Sequence, residues 1–309
     1  MRILITGGTG FIGSHLVPFL LQRGHAVTIQ SRDPARARRQ YHGEVEAVAS
    51  IFDVAEGHEP EAVINLAGEN LTAGRWSSRR KQAMRDSRLH VTAELVKYFA
   101  THATRPRVFI SGSAIGYYGT DATKTFVETD PAGHDFAATL CHDWEREARQ
   151  AESFGIRVCL LRTGLVLGRD GGMLGRLLPV FRLGLGGALG NGRQWMSWIH
   201  IDDLIGIIDL CLHDETLSGP VNGAAPEPVD NNTFTRTLGH VLHRWTFFRV
   251  PAFVLRLMLG EMAELLLHGQ KVLPEKAQQH AYHFRYPCLE AALIDLLVTP
   301  TPTHKESVS

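Results

Sequence analysis

The sequence predicts an α/β protein built on a doubly wound parallel sheet, and three observations carry that expectation. Arg2 to Thr6 is a short apolar run of strand type. A glycine-rich turn from Gly7 to Gly13 follows at once, and then a helical pattern in which Leu16, Val17, Phe19 and Leu20 share a face. Further strand-type runs recur at 26–30, 62–64, 108–113, 156–162 and 220–224, separated by segments of helical character. That alternation is the signature of parallel strands joined by crossover helices.

The chain has 309 residues, enough to bury a large core, and fits one large or two closely packed domains. Its formal net charge is +0, which offers no electrostatic case for a nucleic-acid or acidic-membrane partner. Cys141, Cys159, Cys211 and Cys288 lie far apart and form no C-x-x-C pair. They are expected to be free thiols in a reducing compartment. No signal peptide is expected ahead of the strand that begins at Arg2. The most apolar helical run, 253–267, is interrupted by Arg256, Glu261 and Glu264. It is too short to span a bilayer comfortably. The expectation is a soluble, cytoplasmic chain, monomeric or homodimeric, with a small-molecule substrate. His240 and His243 share a helix face but have no third ligand nearby in sequence, so no metal is expected.

The turn carries the first functional expectation. Glycines let a turn tighten and let the backbone approach a pyrophosphate, while the helix start offers unpaired N–H groups and a positive dipole end. Strand, turn and helix in that order therefore suit a dinucleotide. The spacing G-x-x-G-x-x-G, Gly7, Gly10 and Gly13 in Thr-Gly-Gly-Thr-Gly-Phe-Ile-Gly, resembles the short-chain dehydrogenase/reductase superfamily, and within it the extended, epimerase/dehydratase-type branch. The resemblance implies a Rossmann-like domain carrying NAD or NADP, with Phe11 and Ile12 beside the glycines at the cofactor. It also implies a smaller C-terminal part over the substrate. The expected division is 1–170 for the dinucleotide domain, its sheet completed from 195–225, then 171–298 for the cap, and 299–309 as a disordered tail.

The position after the second strand selects the dinucleotide, because an acidic residue there serves the ribose of NAD and an arginine the extra phosphate of NADP. Here the order is Gln30-Ser31-Arg32, which predicts NADP(H) held by Ser31 and Arg32. Asp33 is expected to point away or cap the next helix, and Arg36 to Arg39 to be a solvated face. After the fourth strand, Asn65-Leu66-Ala67-Gly68-Glu69 resembles the superfamily's Asn-x-Ala-Gly segment, which places Leu66, Ala67, Gly68 and Glu69 at the cofactor. A long polar helix from 75 to about 102 follows; its charges read as surface, with Arg88 as one that could face the site.

The fifth strand runs into Ser113-Ala114-Ile115-Gly116-Tyr117-Tyr118-Gly119. In the superfamily a serine here orients the reacting oxygen, and Ser113 matches it; Ser111 is assigned to the cofactor on the same basis. The superfamily's acid/base is the tyrosine of Tyr-x-x-x-Lys. On the predicted helix over 136–154, aligning Glu145 puts Ala137 at the tyrosine and Cys141 at the lysine, so that pair is missing. Together with Ser-Gly-Ser-Ala-x-Gly-Tyr-Tyr-Gly and Asp-Trp-Glu, this resembles an atypical branch labelled epimerase family protein or nucleoside-diphosphate-sugar epimerase. The resemblance spans Met1 to about Leu297.

Two functional expectations follow. One is an NADP-dependent oxidoreductase or epimerase acting on a polar, sugar-like or carbonyl substrate, with Ser113 polarising the oxygen and Tyr117 or Tyr118 replacing the acid/base. The other is a catalytically silent NADP(H)-binding sensor. Arg162 and Gly164, at the end of the sixth strand, resemble the segment lining the nicotinamide side. The glycine-rich run 184–195 predicts either a close approach or a long connection. Asp202 and Asp203 are expected to cap the helix that ends at 213. His200 reads either as catalytic or as a buried histidine holding two segments together.

Overall fold

A computed structural model describes residues 1–69, 71 and 74–298. The expected tail, 299–309, lies outside the described residues. Seven strands form the central sheet: Arg2–Thr6 (β1), Ala26–Gln30 (β2), Glu46–Val48 (β3), Ala62–Asn65 (β4), Val108–Ala114 (β5), Arg157–Thr163 (β6) and Gly219–Gly223 (β7). They run in the order β7-β6-β5-β4-β1-β2-β3, and every pairing is parallel. A parallel sheet needs both faces covered, and β1 and β4 to β6 are almost continuously buried.

Side chains alternate between the faces along each strand. Ile3, Ile5, Ile64 and Ile110 pack under Leu16 and Leu20 of α1 (Phe11–Gln22) and under Leu204 and Ile208 of α6 (Ile201–His213). On the opposite face Leu4, Val63, Phe109 and Leu160 meet Leu95 and Phe99 of Ser78–Thr101 and Ala148 of Phe136–Arg149. With Pro34–Gln40 as α2, these two helices are α3 and α4. Each fully buried Leu, Ile or Phe contributes about 1.5–3 kcal/mol. The sheet order reverses at β1, so the carboxyl ends of β1 and β4 flank a crevice where such folds bind ligands.

The helix predicted over 136–154 is shorter as an α-helix. It stops at Arg149, and Gln150–Phe154 continue as a 3₁₀ turn closed by Gly155 in the left-handed conformation. Asp33 caps α2, accepting from the Arg36 amide at 2.9 Å, and the arginines that follow it are exposed, as the sequence indicated.

A second core lies in the C-terminal part. It joins Leu174, Leu178 and Phe181 of α5 (Gly172–Arg182), Phe234 and Leu238 of α7 (Asn231–Val241), Trp198, and Leu293 of the terminal helix Leu289–Leu297. What the glycine-rich run approaches is this same chain: Gly187–Leu189 pairs in parallel with Phe248–Val250. The helix cap is corrected by one element. His200, not Asp202 or Asp203, is the N-cap of α6, its Nδ1 accepting from the Asp202 amide at 3.1 Å. Asp203 is instead buried and accepts from the amides of Arg285 and Tyr286 at 2.8 and 2.9 Å. His200 stacks on Tyr286 with ring centroids 3.9 Å apart and lies 3.4 Å from Asp295. That is the arrangement of a histidine tying two segments together.

Candidate functional site

The turn after β1 has the shape a pyrophosphate requires. Gly7 adopts a φ of +71°, and a Cβ there would sit 2.6 Å from the Leu66 carbonyl oxygen. A Cβ on Gly13 would lie 2.4 Å from the Gly8 oxygen, so only glycine lets the helix start pack this closely. Gly10 is the exposed N-cap of α1 in extended backbone, with no side chain across the first-turn amides. Phe11, Ile12 and Gly13 thus present N–H groups with no intrahelical acceptor. These residues fit a dinucleotide phosphate.

The Leu66 loop closes over the same turn. Ala67 donates its amide to Thr6 Oγ1 at 3.2 Å, and Thr6 in turn donates to Asn65 at 2.6 Å. Gly68 and Glu69 rest on the buried guanidinium of Arg88, which donates to the Glu69 carbonyl at 3.0 Å and lies 5.3 Å from the Trp144 ring centroid. A cation therefore sits directly beneath the loop. Ser31 is half-buried and exchanges hydrogen bonds with Asp33 at 3.2 Å, leaving Arg32 exposed at the end of β2. Ser111 is fully buried in β5, in register with Asn65. Gly164 is enclosed by backbone, donating its amide to the Gly223 oxygen at 2.9 Å.

Beneath the ends of β5 and β6 lies a buried polar network. Glu145, on the buried stripe of α4, takes Arg162 bidentately at 2.8 and 2.9 Å. These side chains are 4% and 2% exposed. Ser113 donates to Glu145 at 2.7 Å. Arg162 also donates to the Tyr118 hydroxyl at 3.0 Å and to the Glu128 carbonyl at 3.2 Å. Tyr118 donates to Asn222 of β7 at 2.7 Å. Burial pushes the Tyr118 phenol up to about 12. Tyr117 is half-buried, and the Arg162 guanidinium lies 3.5 Å from its ring centroid. At the lysine position of the missing pair, burial first and then the Glu145 charge push the Cys141 thiol up to about 11.

The structure thus brings Ser113, Tyr117, Tyr118 and Arg162 together. The Arg162 side chain serves Glu145 and the two tyrosines rather than standing free at the crevice. Sequence reasoning missed that use of Arg162, the carboxylate role of Glu145, and Asn222 and Glu128 altogether. One signal was available: Glu145 falls on the apolar stripe with Ala138, Cys141 and Ala148, where a lone carboxylate demands a partner.

A cavity of about 940 Å³ opens beside the turn, between the two halves of the chain. Phe11 and Gly164 to Val166 line it together with residues of α5, α7, the helix Ala252–Leu259 (α8) and the segments 187–196 and 262–268. Neither Ser113 nor Tyr117 lines it. Among the described residues, no group of three or more His, Cys, Asp or Glu is placed to hold a metal ion. No helix among them is long and apolar enough to cross a membrane.

A seven-stranded parallel sheet with a glycine turn at its switch point defines a dinucleotide-type α/β protein, and comparison with known families narrows the class. The chain belongs to the NAD dependent epimerase/dehydratase family, whose profile matches residues 3–222; a domain of unknown function, DUF1731, matches 250–296. Within that family it is similar to the epimerase family protein SDR39U1 of Mus musculus, 40% identical over 96% of this chain and 100% of the relative. The chloroplastic SDR39U1 homolog of Arabidopsis thaliana is likewise 40% identical, over 95% of this chain and 86% of the relative. The crystal structure of human SDR39U1 (isoform 2) with NADPH superposes with a TM-score of 0.86. It is 36% identical and covers 96% of this chain and 99% of that one.

Proposed function

We propose that the protein is an NADP(H)-dependent oxidoreductase or epimerase-like enzyme acting on a carbonyl or hydroxyl compound, the nucleotide-sugar class included. The observation that carries this reading is the Gly7–Gly13 turn locked against Leu66 at the switch point, with Arg32 exposed at the end of β2. Gly7, Gly10, Phe11, Ile12 and Gly13 would hold the pyrophosphate, and Ser31 and Arg32 the ribose phosphate. Leu66 to Glu69 and the backbone around Gly164 would flank the rest of the dinucleotide. When bound, NADP(H) supplies or accepts the hydride.

For this chain's own groups, Ser113 keeps its Oγ lone pairs while its proton is committed to Glu145, so it orients a substrate hydroxyl as an acceptor. Tyr118 is fixed by Arg162 and Asn222 and acts as a positioning residue. Tyr117 is the phenol left to move a proton, with Arg162 against its ring. Arg88 supplies the positive charge near the position where Cys141 replaces lysine.

The alternative is a silent NADP(H)-binding sensor. One observation favours it: neither Ser113 nor Tyr117 lines the large cavity. Two variants separate the readings. Gly10→Val should abolish NADPH binding in a fluorescence titration while circular dichroism stays native, because the new side chain fills the phosphate path from an exposed position. Tyr117→Phe should leave NADPH affinity unchanged and lower turnover of carbonyl compounds by about 10²–10⁴-fold, the usual worth of a general acid/base. Wild-type protein that binds NADPH tightly and turns over no carbonyl compound or nucleotide sugar would establish the sensor.

A further inference from the structure

The cavity beside the cofactor turn has a chemistry of its own. Its walls are largely apolar: Phe11, Leu165 and Val166 on one side, Met173, Leu177 and Phe181 from α5, and Phe234, Leu255 and Leu259 from α7 and α8. Its polar groups are few and mostly held within the fold, with the buried Gln194 Oε1 left without a hydrogen-bond partner. Asn231 accepts from the Leu189 amide at 2.8 Å, and the Gln194 amide donates to the carbonyls of Leu189 and Leu266 at 3.1 and 2.8 Å. Of the ionisable lining side chains, His268 lies 2.9 Å from Glu264, and Arg176 is the other. A sugar diphosphate brings at least two negative charges, each needing several charged or N–H donors once desolvated. The wall does not provide them. About 940 Å³ is at the upper end of a small-molecule site, and apolar walls of that size select by burying apolar surface.

α8 extends the same character outward. Leu255 and Leu259 line the cavity, while Phe253, Leu257 and Met258 of that helix are 65–74% exposed. Phe11, just after the glycine turn, and Gly164, just after β6, also line the cavity.

We infer that this cavity binds the body of an elongated, predominantly apolar substrate, such as a long-chain ketone or secondary alcohol, leaving its oxygen-bearing end at the crevice. The assignment rests on the oxidoreductase reading for the word substrate, while the binding itself does not depend on it. Within the substrates proposed above, it favours the carbonyl and hydroxyl compounds of apolar body over the nucleotide sugars.

The test uses calorimetry on the full chain, with and without saturating NADP⁺, titrating 2-undecanone and UDP-glucose in parallel. 2-Undecanone should bind with a negative heat-capacity change, the mark of apolar burial, and UDP-glucose should not compete with it. Gly175→Phe is the blocking variant: Gly175 lines the cavity on α5, and a Cβ there meets nothing within 4 Å. It should weaken 2-undecanone at least tenfold with NADPH affinity unchanged. Leu259→Glu, at a half-buried lining position, should do the same by charging the wall. Binding of UDP-glucose displaced by Gly175→Phe, absence of 2-undecanone binding, or full 2-undecanone affinity in both variants would overturn the proposal. Failure of NADPH to bind wild type sinks the oxidoreductase reading alone, since the cavity is then judged on the protein without NADP⁺.

Discussion

The floor beneath β5 and β6 and the C-terminal core around the cavity hold ionisable groups in opposite ways. In the floor, Glu145 and Arg162 are each other's bidentate partner, and Ser113, Tyr118 and Asn222 complete the shell. In the C-terminal core, His200 is buried against Tyr286, with Asp295 3.4 Å from its ring. Burial pulls its pKa down, outweighing the charges of Asp202, Asp295 and Asp203. One region pairs its buried charges bidentately, whereas the other holds a buried imidazole that burial makes harder to protonate. Groups that position a reacting atom must be fixed and paired, while groups that recognise an apolar body need only exclude water.

The largest expected effect is on the floor. Glu145→Ala leaves the Arg162 guanidinium buried without a counter-charge, and removing one partner of such a pair costs about 3–5 kcal/mol. Urea unfolding should show that loss, and Glu145→Leu combined with Arg162→Leu should recover most of it. A single variant as stable as wild type would mean that water reaches Arg162, and the contrast between the regions would collapse.

Arg32 tests the opposite condition, a cation left exposed for a ligand. A charged donor to a phosphate is worth about 1.5–3 kcal/mol, so Arg32→Ala should cut the preference for NADPH over NADH roughly tenfold or more. Unchanged relative affinities would assign the ribose phosphate to another residue.

The smallest effect concerns His200. Its folded-state pKa is below the ordinary 6.5, so the stability it contributes is present above that value and is lost as pH falls through the lowered one. Between pH 7.5 and 5.5 the thermal midpoint of the wild type should therefore fall further than that of His200→Asn. Equal falls would show that the C-terminal core tolerates the charged ring, erasing the difference from the floor.

Much of the frame was legible because it depends on local pattern. β1 and β2 appear at their expected bounds, the other predicted sheet strands within one residue or so, and Asp33 caps α2 as its position before Pro34 suggested. Ser113, Tyr117 and Tyr118 could be named because strand-end motifs are contiguous in sequence. Their division of labour could not, since Arg162 and Asn222 reach them from β6 and β7. Nothing in Tyr117-Tyr118 distinguishes the two rings until burial locks one of them.

By itself, the sequence determined the parallel sheet, the glycine turn and the basic residue after β2, because strand periodicity, backbone geometry and a single local substitution set these within a few residues. Tertiary structure alone decided that Glu145 and Arg162 form the buried pair, that His200 rather than the aspartates caps α6, and that the wall beside the cofactor turn is apolar. Burial, pairing and cavity walls are sums over side chains brought together from separate elements, and no local stretch of chain contains that sum.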